Sequence, residues 1–182
     1  VYGYKDILQN ASAGKMSALL TIEEGAVCGG SLVRLRKLCA MGVRMVTLTW
    51  NYPNELGWPA ASWNMGLTDT GREFVTEMER LGMIPDVSHL SDAGFDDVWK
   101  STTKPFAASH SNARHLCSHP RTLNDELLKA IGERGGVIGL NYYAYFLRDW
   151  KEGEKVVSRA EDIVAHAKYI RDVAGIEALG LC

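Results

Sequence analysis

Three short stretches place acid and imidazole side chains at the ends of apolar runs: Ile22-Glu23-Glu24-Gly25, Asp86-Val87-Ser88-His89 and Ala108-Ser109-His110-Ser111. One carboxylate and two imidazoles meeting at a point form a donor set suited to a divalent cation, zinc above all. A lone histidine at a strand end is more often a hydrogen-bonded structural residue. Two on successive strands, each flanked by serine and joined by a glutamate from another strand, point instead to a shared ligand. Ser88, Ser109 and Ser111 then read as packing or supporting hydroxyls, because nothing marks a nucleophile. A rival cluster, His110, His115, Cys117 and His119, includes an i, i+4 histidine pair, but Pro120 follows directly and no helical pattern contains it. These residues are expected to form a polar loop. His166, set between Ala165 and Ala167 on a helical pattern, reads as structural. No GxSxG, P-loop, GxGxxG or HExxH pattern is present, which removes the usual signatures of serine hydrolases, nucleotide-binding folds and zincins.

The elements that must position these groups alternate regularly. Continuous apolar runs at 17–22, 43–49, 83–88, 105–109, 136–141 and 177–181 predict strands buried on both faces. Between them Leu32, Leu35 and Leu38 share a helical face. So do Phe74, Met78 and Leu81, then Leu127, Leu128 and Ile131, then Ile163, Ala167 and Ile170. Asn124 precedes acidic Asp125 and Glu126, Ser158 with Glu161 predicts a capping box, and Gly42, Gly82 and Gly135 stand where helices end. About six strands and five helices in βα alternation predict an α/β fold with a parallel sheet. Two architectures fit, a doubly wound open sheet and a (β/α)8 TIM barrel; a barrel typically takes ~250 residues, so this chain is short by about two βα units. Residues 51–69 form a long connection beside Trp50, carry Trp58 and Trp63, and predict a lid or binding loop.

Composition excludes more than it identifies. The 182 residues carry 20 basic and 22 acidic side chains, so no charge excess points to nucleic acid or an anionic membrane. No apolar run approaches the ~18 residues of a membrane-spanning helix. Four scattered cysteines, Cys28, Cys39, Cys117 and Cys182, offer no disulfide framework and predict a cytoplasmic location. No linker divides the chain, so residues 1–182 are expected to form one domain or part of one.

Read together, 20–25 (Leu-Thr-Ile-Glu-Glu-Gly), 47–51 (Thr-Leu-Thr-Trp-Asn), 81–89 (Leu-Gly-Met-Ile-Pro-Asp-Val-Ser-His), 109–114 (Ser-His-Ser-Asn-Ala-Arg) and 119–121 (His-Pro-Arg) resemble the membrane dipeptidase (renal dipeptidase, M19 peptidase) family. The resemblance runs in order along nearly the whole chain. It implies a (β/α)8 barrel of the metal-dependent hydrolase type, with two zinc ions and a bridging hydroxide that hydrolyses dipeptides. By the same resemblance Glu23 bridges the metals, His89 and His110 are the histidine ligands of one zinc, and Arg121 holds the substrate's terminal carboxylate. Tyr143 would line the pocket by position. Trp50 stands where many members have a substrate-contacting histidine. The family's His-x-Asp and Asp-Phe-Asp motifs find no match in these residues, so the chain is expected to represent strands three to eight. Members are often homodimers. The alternative is a truncated or degenerate, non-catalytic barrel fragment that binds zinc weakly or not at all.

Overall fold

The computed structural model describes all 182 residues. Six parallel strands form one sheet: β1 (Leu20–Glu23), β2 (Val43–Thr47), β3 (Ile84–Asp86), β4 (Ala107–Ser111), β5 (Val137–Leu140) and β6 (Leu179–Leu181). Their spatial order is β1-β2-β3-β4-β5-β6, so every crossover advances the sheet in one direction. A doubly wound sheet reverses its order at a switch point; this one does not, and it has the winding of a barrel wall. The helices are α1 (Tyr4–Ser12), α2 (Leu32–Ala40), α3 (Asp69–Leu81), α4 (Asp92–Ser101), α5 (Asp125–Glu133) and α6 (Ala160–Ala174).

Helices α2 to α6 supply the apolar side of the core. Leu35, Phe74, Val75, Met78, Phe95, Val98, Leu128, Ile131 and Ile170 are buried against Val46, Ala108, Ile138 and Leu140 of the strands. The opposite face of the sheet is different. Thr21, Glu23, Met45, Thr47, Asp86, Ser109, His110 and Asn141 line an open concavity there. The expected burial on both faces therefore holds only toward the helices, and the alternation of the strands sends polar side chains into the concavity.

Local chemistry explains the helix ends. The Thr68 hydroxyl accepts from the Gly71 amide at 2.9 Å to start α3, Ser91 does the same for Gly94 at 3.0 Å in α4, and Asn124 for Leu127 at 2.9 Å in α5. Gly82 ends α3 in the left-handed region at φ 70°, which costs glycine nothing. The expected Ser158–Glu161 box does not form. Arg159 occupies the cap position of α6 without a side-chain bond, and the Ser158 hydroxyl donates to the Tyr142 carbonyl at 2.7 Å instead. The apolar periodicity marks neither α1 nor α4. The first buries no side chain, and the second carries only Phe95 and Val98 as apolar core residues.

The long β2–α3 connection is a clamp, built by backbone hydrogen bonds, and it grips the turn after β3. The Ala60 amide donates to the His89 carbonyl at 2.8 Å, the Ser91 amide to the Trp58 carbonyl at 3.1 Å, and Pro59 pairs antiparallel with Leu90. Asn54 closes the near end: its amide group donates to the Leu48 carbonyl at 2.9 Å and to Glu24 at 2.8 Å, while its oxygen accepts from Leu56 at 2.8 Å.

Fully buried Phe74 sits at the junction of these layers. Phe74→Ala should lower unfolding stability by about 3–5 kcal/mol in urea denaturation, as expected for an aromatic core truncation. Val33→Ala, at an exposed position of α2, should change it by less than about 0.5 kcal/mol.

Candidate metal centre

Glu23 at the end of β1, His89 in the turn after β3 and His110 in β4 meet at the C-terminal end of the sheet, where parallel α/β folds place their sites. Glu23 is the last residue of β1. The next residue, Glu24, has φ 107°, an unfavourable conformation for a side chain other than glycine. The Asn54 bond to Glu24 helps hold that turn. His89 lies in the turn after β3, and His110 lies within β4. The Nε2 atoms of the two imidazoles are 2.9 Å apart; Oε1 of Glu23 is 3.5 Å from His89 and 3.7 Å from His110. Their donor atoms all lie within 4.8 Å of one another, so one cation could be held between them.

Below this triad is Asp86, the end of β3 and completely buried. Its Oδ1 accepts from the Ser88 amide at 3.1 Å, the Ser88 hydroxyl at 2.6 Å and the Ser109 amide at 2.9 Å. Oδ2 accepts from the hydroxyls of Thr47 and Ser109, each at 2.6 Å. Burial pushes the carboxyl pKa up, yet these bonds from Ser109, Ser88 and Thr47 prevail and hold it below the ordinary range. Asp86 is thus an anion buried among hydroxyls and amides. The sequence shows this acid two residues from one serine and three from a histidine, but no spacing rule reveals that a serine on the next strand completes it.

Both imidazoles are kept neutral. Burial lowers the pKa of His89 to about 3, helped by the Arg121 and His110 charges against Asp86. Burial lowers His110 as well, with Asp86 and Glu23 opposing. A neutral imidazole has a lone pair to give to a cation, and a protonated one does not.

Arg121, in the loop between β4 and α5, is only 5% exposed, and neither Nη1 nor Nη2 has a hydrogen-bond partner. Burial lowers its pKa to about 10 despite Asp86 and Glu23. Its guanidinium lies 5.5 Å from the Phe146 ring centre, and that ring also packs on His119 at 4.6 Å. Nothing in the sequence marks Phe146, one ring among several aromatics in its loop. Asn112 anchors it by donating to the carbonyls of Phe146 and Asn141, each at 2.9 Å. Tyr143 packs on Tyr145 and Phe146, with ring centres 5.4 and 5.1 Å apart, and is more than half exposed. Trp50 is 42% exposed, and its ring centre lies 6.2 Å from that of His89. The rival histidine cluster does not assemble: His115 stacks on Tyr169 at 4.7 Å, and Cys117 donates to the Tyr145 carbonyl at 3.3 Å. All four cysteines are free.

His166 bridges elements, as its structural reading expects. Its Nδ1 accepts from the Ala113 amide at 3.1 Å, and its Nε2 donates to the Leu147 carbonyl at 2.8 Å. Burial keeps it neutral, although Leu147 and Asp162 favour the charged form. The unfolded chain takes up that proton near the ordinary value of 6.5, so stability falls as pH drops through this value. In metal-free protein, His166→Gln should flatten the stability–pH slope between pH 7 and 5 by at most about 1.4 kcal/mol per pH unit. An unchanged slope in chemical denaturation at several pH values would contradict its neutral burial.

A family model, Membrane dipeptidase (Peptidase family M19), matches residues 1–182. An uncharacterized dipeptidase of Schizosaccharomyces pombe (strain 972 / ATCC 24843) is 36% identical over 173 residues, covering 92% of this chain and 41% of the relative. A crystal structure of dipeptidase AC, a metallo peptidase of family M19, superposes with a TM-score of 0.91 at 28% identity, over 100% of this chain and 55% of the other. A metallo peptidase from Rhodobacter sphaeroides, solved with a phosphinate mimic of the dipeptide L-Ala-D-Ala, gives a TM-score of 0.90 at 28% identity and is covered to 53%. The chain thus spans about half the length of these relatives. No helix is long and apolar enough to cross a membrane. With one family model matched from end to end and the same wall of strands found in its solved members, the chain belongs to the membrane dipeptidase family, peptidase family M19.

Proposed function

We propose that the intact protein is a zinc-dependent dipeptidase, with the metal held by Glu23, His89 and His110. The convergence of one carboxylate and two neutral imidazoles within 4.8 Å carries this reading, because it is the donor set of a hydrolytic zinc site. Oε1 of Glu23 faces His89 and His110, and the carboxylate has a second oxygen that a second ion could share. When bound, zinc would supply Lewis acidity at the peptide carbonyl and lower the pKa of water.

The chain's own residues then divide the work. Glu23 would hold the metal and offset part of its charge. Arg121 presents an unpaired guanidinium from a buried position, so a dipeptide's terminal carboxylate would gain a bidentate partner that has already left water. Phe146 supports that guanidinium from one side. Trp50 offers an indole beside His89 where it would pack on the substrate, and Tyr143 extends the aromatic wall. The relatives, a dipeptidase and a metallo peptidase solved with a dipeptide mimic, agree with this substrate class.

Zinc content and dipeptide turnover of the intact protein should fall together on Glu23→Gln; full retention of both refutes the ligand assignment. Arg121→Lys should leave zinc content unchanged and weaken free dipeptides by about 1.5–3 kcal/mol in kcat/KM. Dipeptide amides should be almost unaffected, and equal losses for both substrates would contradict the carboxylate clamp. Zinc retained by wild type without any peptide hydrolysis would favour a non-catalytic unit.

A further inference from the structure

We propose that Asp86, acting through the Ser109 hydroxyl, fixes His110 in the tautomer that carries its proton on Nδ1 and turns a bare Nε2 toward Glu23 and His89. Counting protons leads to this assignment. Ionised Asp86 can only accept, so the hydroxyls of Thr47, Ser88 and Ser109, each 2.6 Å from its oxygens, must spend their single protons on it. Ser88 and Ser109 are then left as acceptors for every other neighbour. The His110 amide donates to the Ser88 oxygen at 3.0 Å. The only remaining partner of the Ser109 oxygen that can supply a proton is Nδ1 of His110, 2.8 Å away. The 3.2 Å approach of the two serine oxygens is a contact without a proton between them.

Free histidine favours the opposite tautomer, with the proton on Nε2 and therefore unable to ligate through that atom. Asp86 reverses this without touching the imidazole, so it is a positioning residue. The bare Nε2 also accounts for the 2.9 Å distance to His89 Nε2, which can donate across it. Two strands are locked by the same relay, since Asp86 belongs to β3 and Ser109 to β4. That the bare nitrogen meets a metal rests on the function proposed above; the tautomer does not.

The test is long-range proton–nitrogen NMR of the imidazoles in metal-free intact protein, paired with zinc affinity by chelator competition. Wild type should show His110 protonated on Nδ1. Asp86→Asn can donate to a serine oxygen and frees a hydroxyl proton, so it should populate the Nε2–H form and weaken zinc by ~10–100-fold. Ser109→Ala cuts the relay at a partly exposed position and should do the same with unchanged circular dichroism, which keeps the test open should Asp86→Asn not fold. A wild-type His110 protonated on Nε2 overturns the proposal, as does a folded Ser109→Ala that keeps both the Nδ1–H tautomer and wild-type zinc affinity. A shifted tautomer with unaltered zinc affinity supports the relay and instead removes His110 from the metal site.

Discussion

The buried carboxylate of Asp86 is the constraint on which the site depends. An ionised acid removed from water is costly unless every lone pair is engaged. Five donors from β2, β4 and the turn after β3 meet that demand. Because they come from separate strands, satisfying Asp86 also fixes how those strands sit against one another. His110 follows Ser109 directly, and His89 follows Ser88 directly, so both imidazoles inherit positions set by the same anion. Glu23 and His110 stand on strands and His89 on a turn that Asp86 pins through Ser88, which suits ligands that must be held to within fractions of an ångström.

A second charge works in the opposite sense. Arg121 is buried yet unpaired, and its field helps keep His89, His110 and His119 neutral. A guanidinium in that state gains when an anion arrives. The fold holds it there through its surroundings: Phe146 under the guanidinium, Asn112 gripping the Phe146 carbonyl, and His166 gripping Leu147 next to it. The β5–α6 loop is therefore shaped from three sides before any ligand binds, which lowers the entropy cost of recognition.

The sheet's single direction of winding makes such a site possible. Strands that advance one after another bring all their C-terminal ends to one rim, and the helices cover the outer face alone. The inner face is then free for threonine, serine, aspartate and asparagine. The same reasoning explains why the long β2–α3 connection returns to His89: it crosses the rim and binds the turn by backbone hydrogen bonds, so that the histidine turn is supported from above and below.

Much of this was legible in the amino-acid sequence. Apolar runs at intervals of 20–40 residues, with helical faces between them, determined a parallel α/β fold, because only crossover helices can join buried parallel strands. Glu23, His89 and His110 could be picked out because each follows an apolar run, and the caps at Asn124 and Gly82 are local chemistry that sequence records directly. What spacing could not supply is anything that depends on two strands at once. Whether the sheet reverses or keeps winding, which serine on the next strand Asp86 binds, which ring lies beneath Arg121 and what holds His166 are all decided by residues from 19 to 53 positions apart. Ser158 shows the reverse limit: a sound local signal lost its cap because its hydroxyl found the Tyr142 carbonyl, sixteen residues away. Local propensity contributes about 1 kcal/mol at such a position, and tertiary hydrogen bonding of similar size is enough to redirect it.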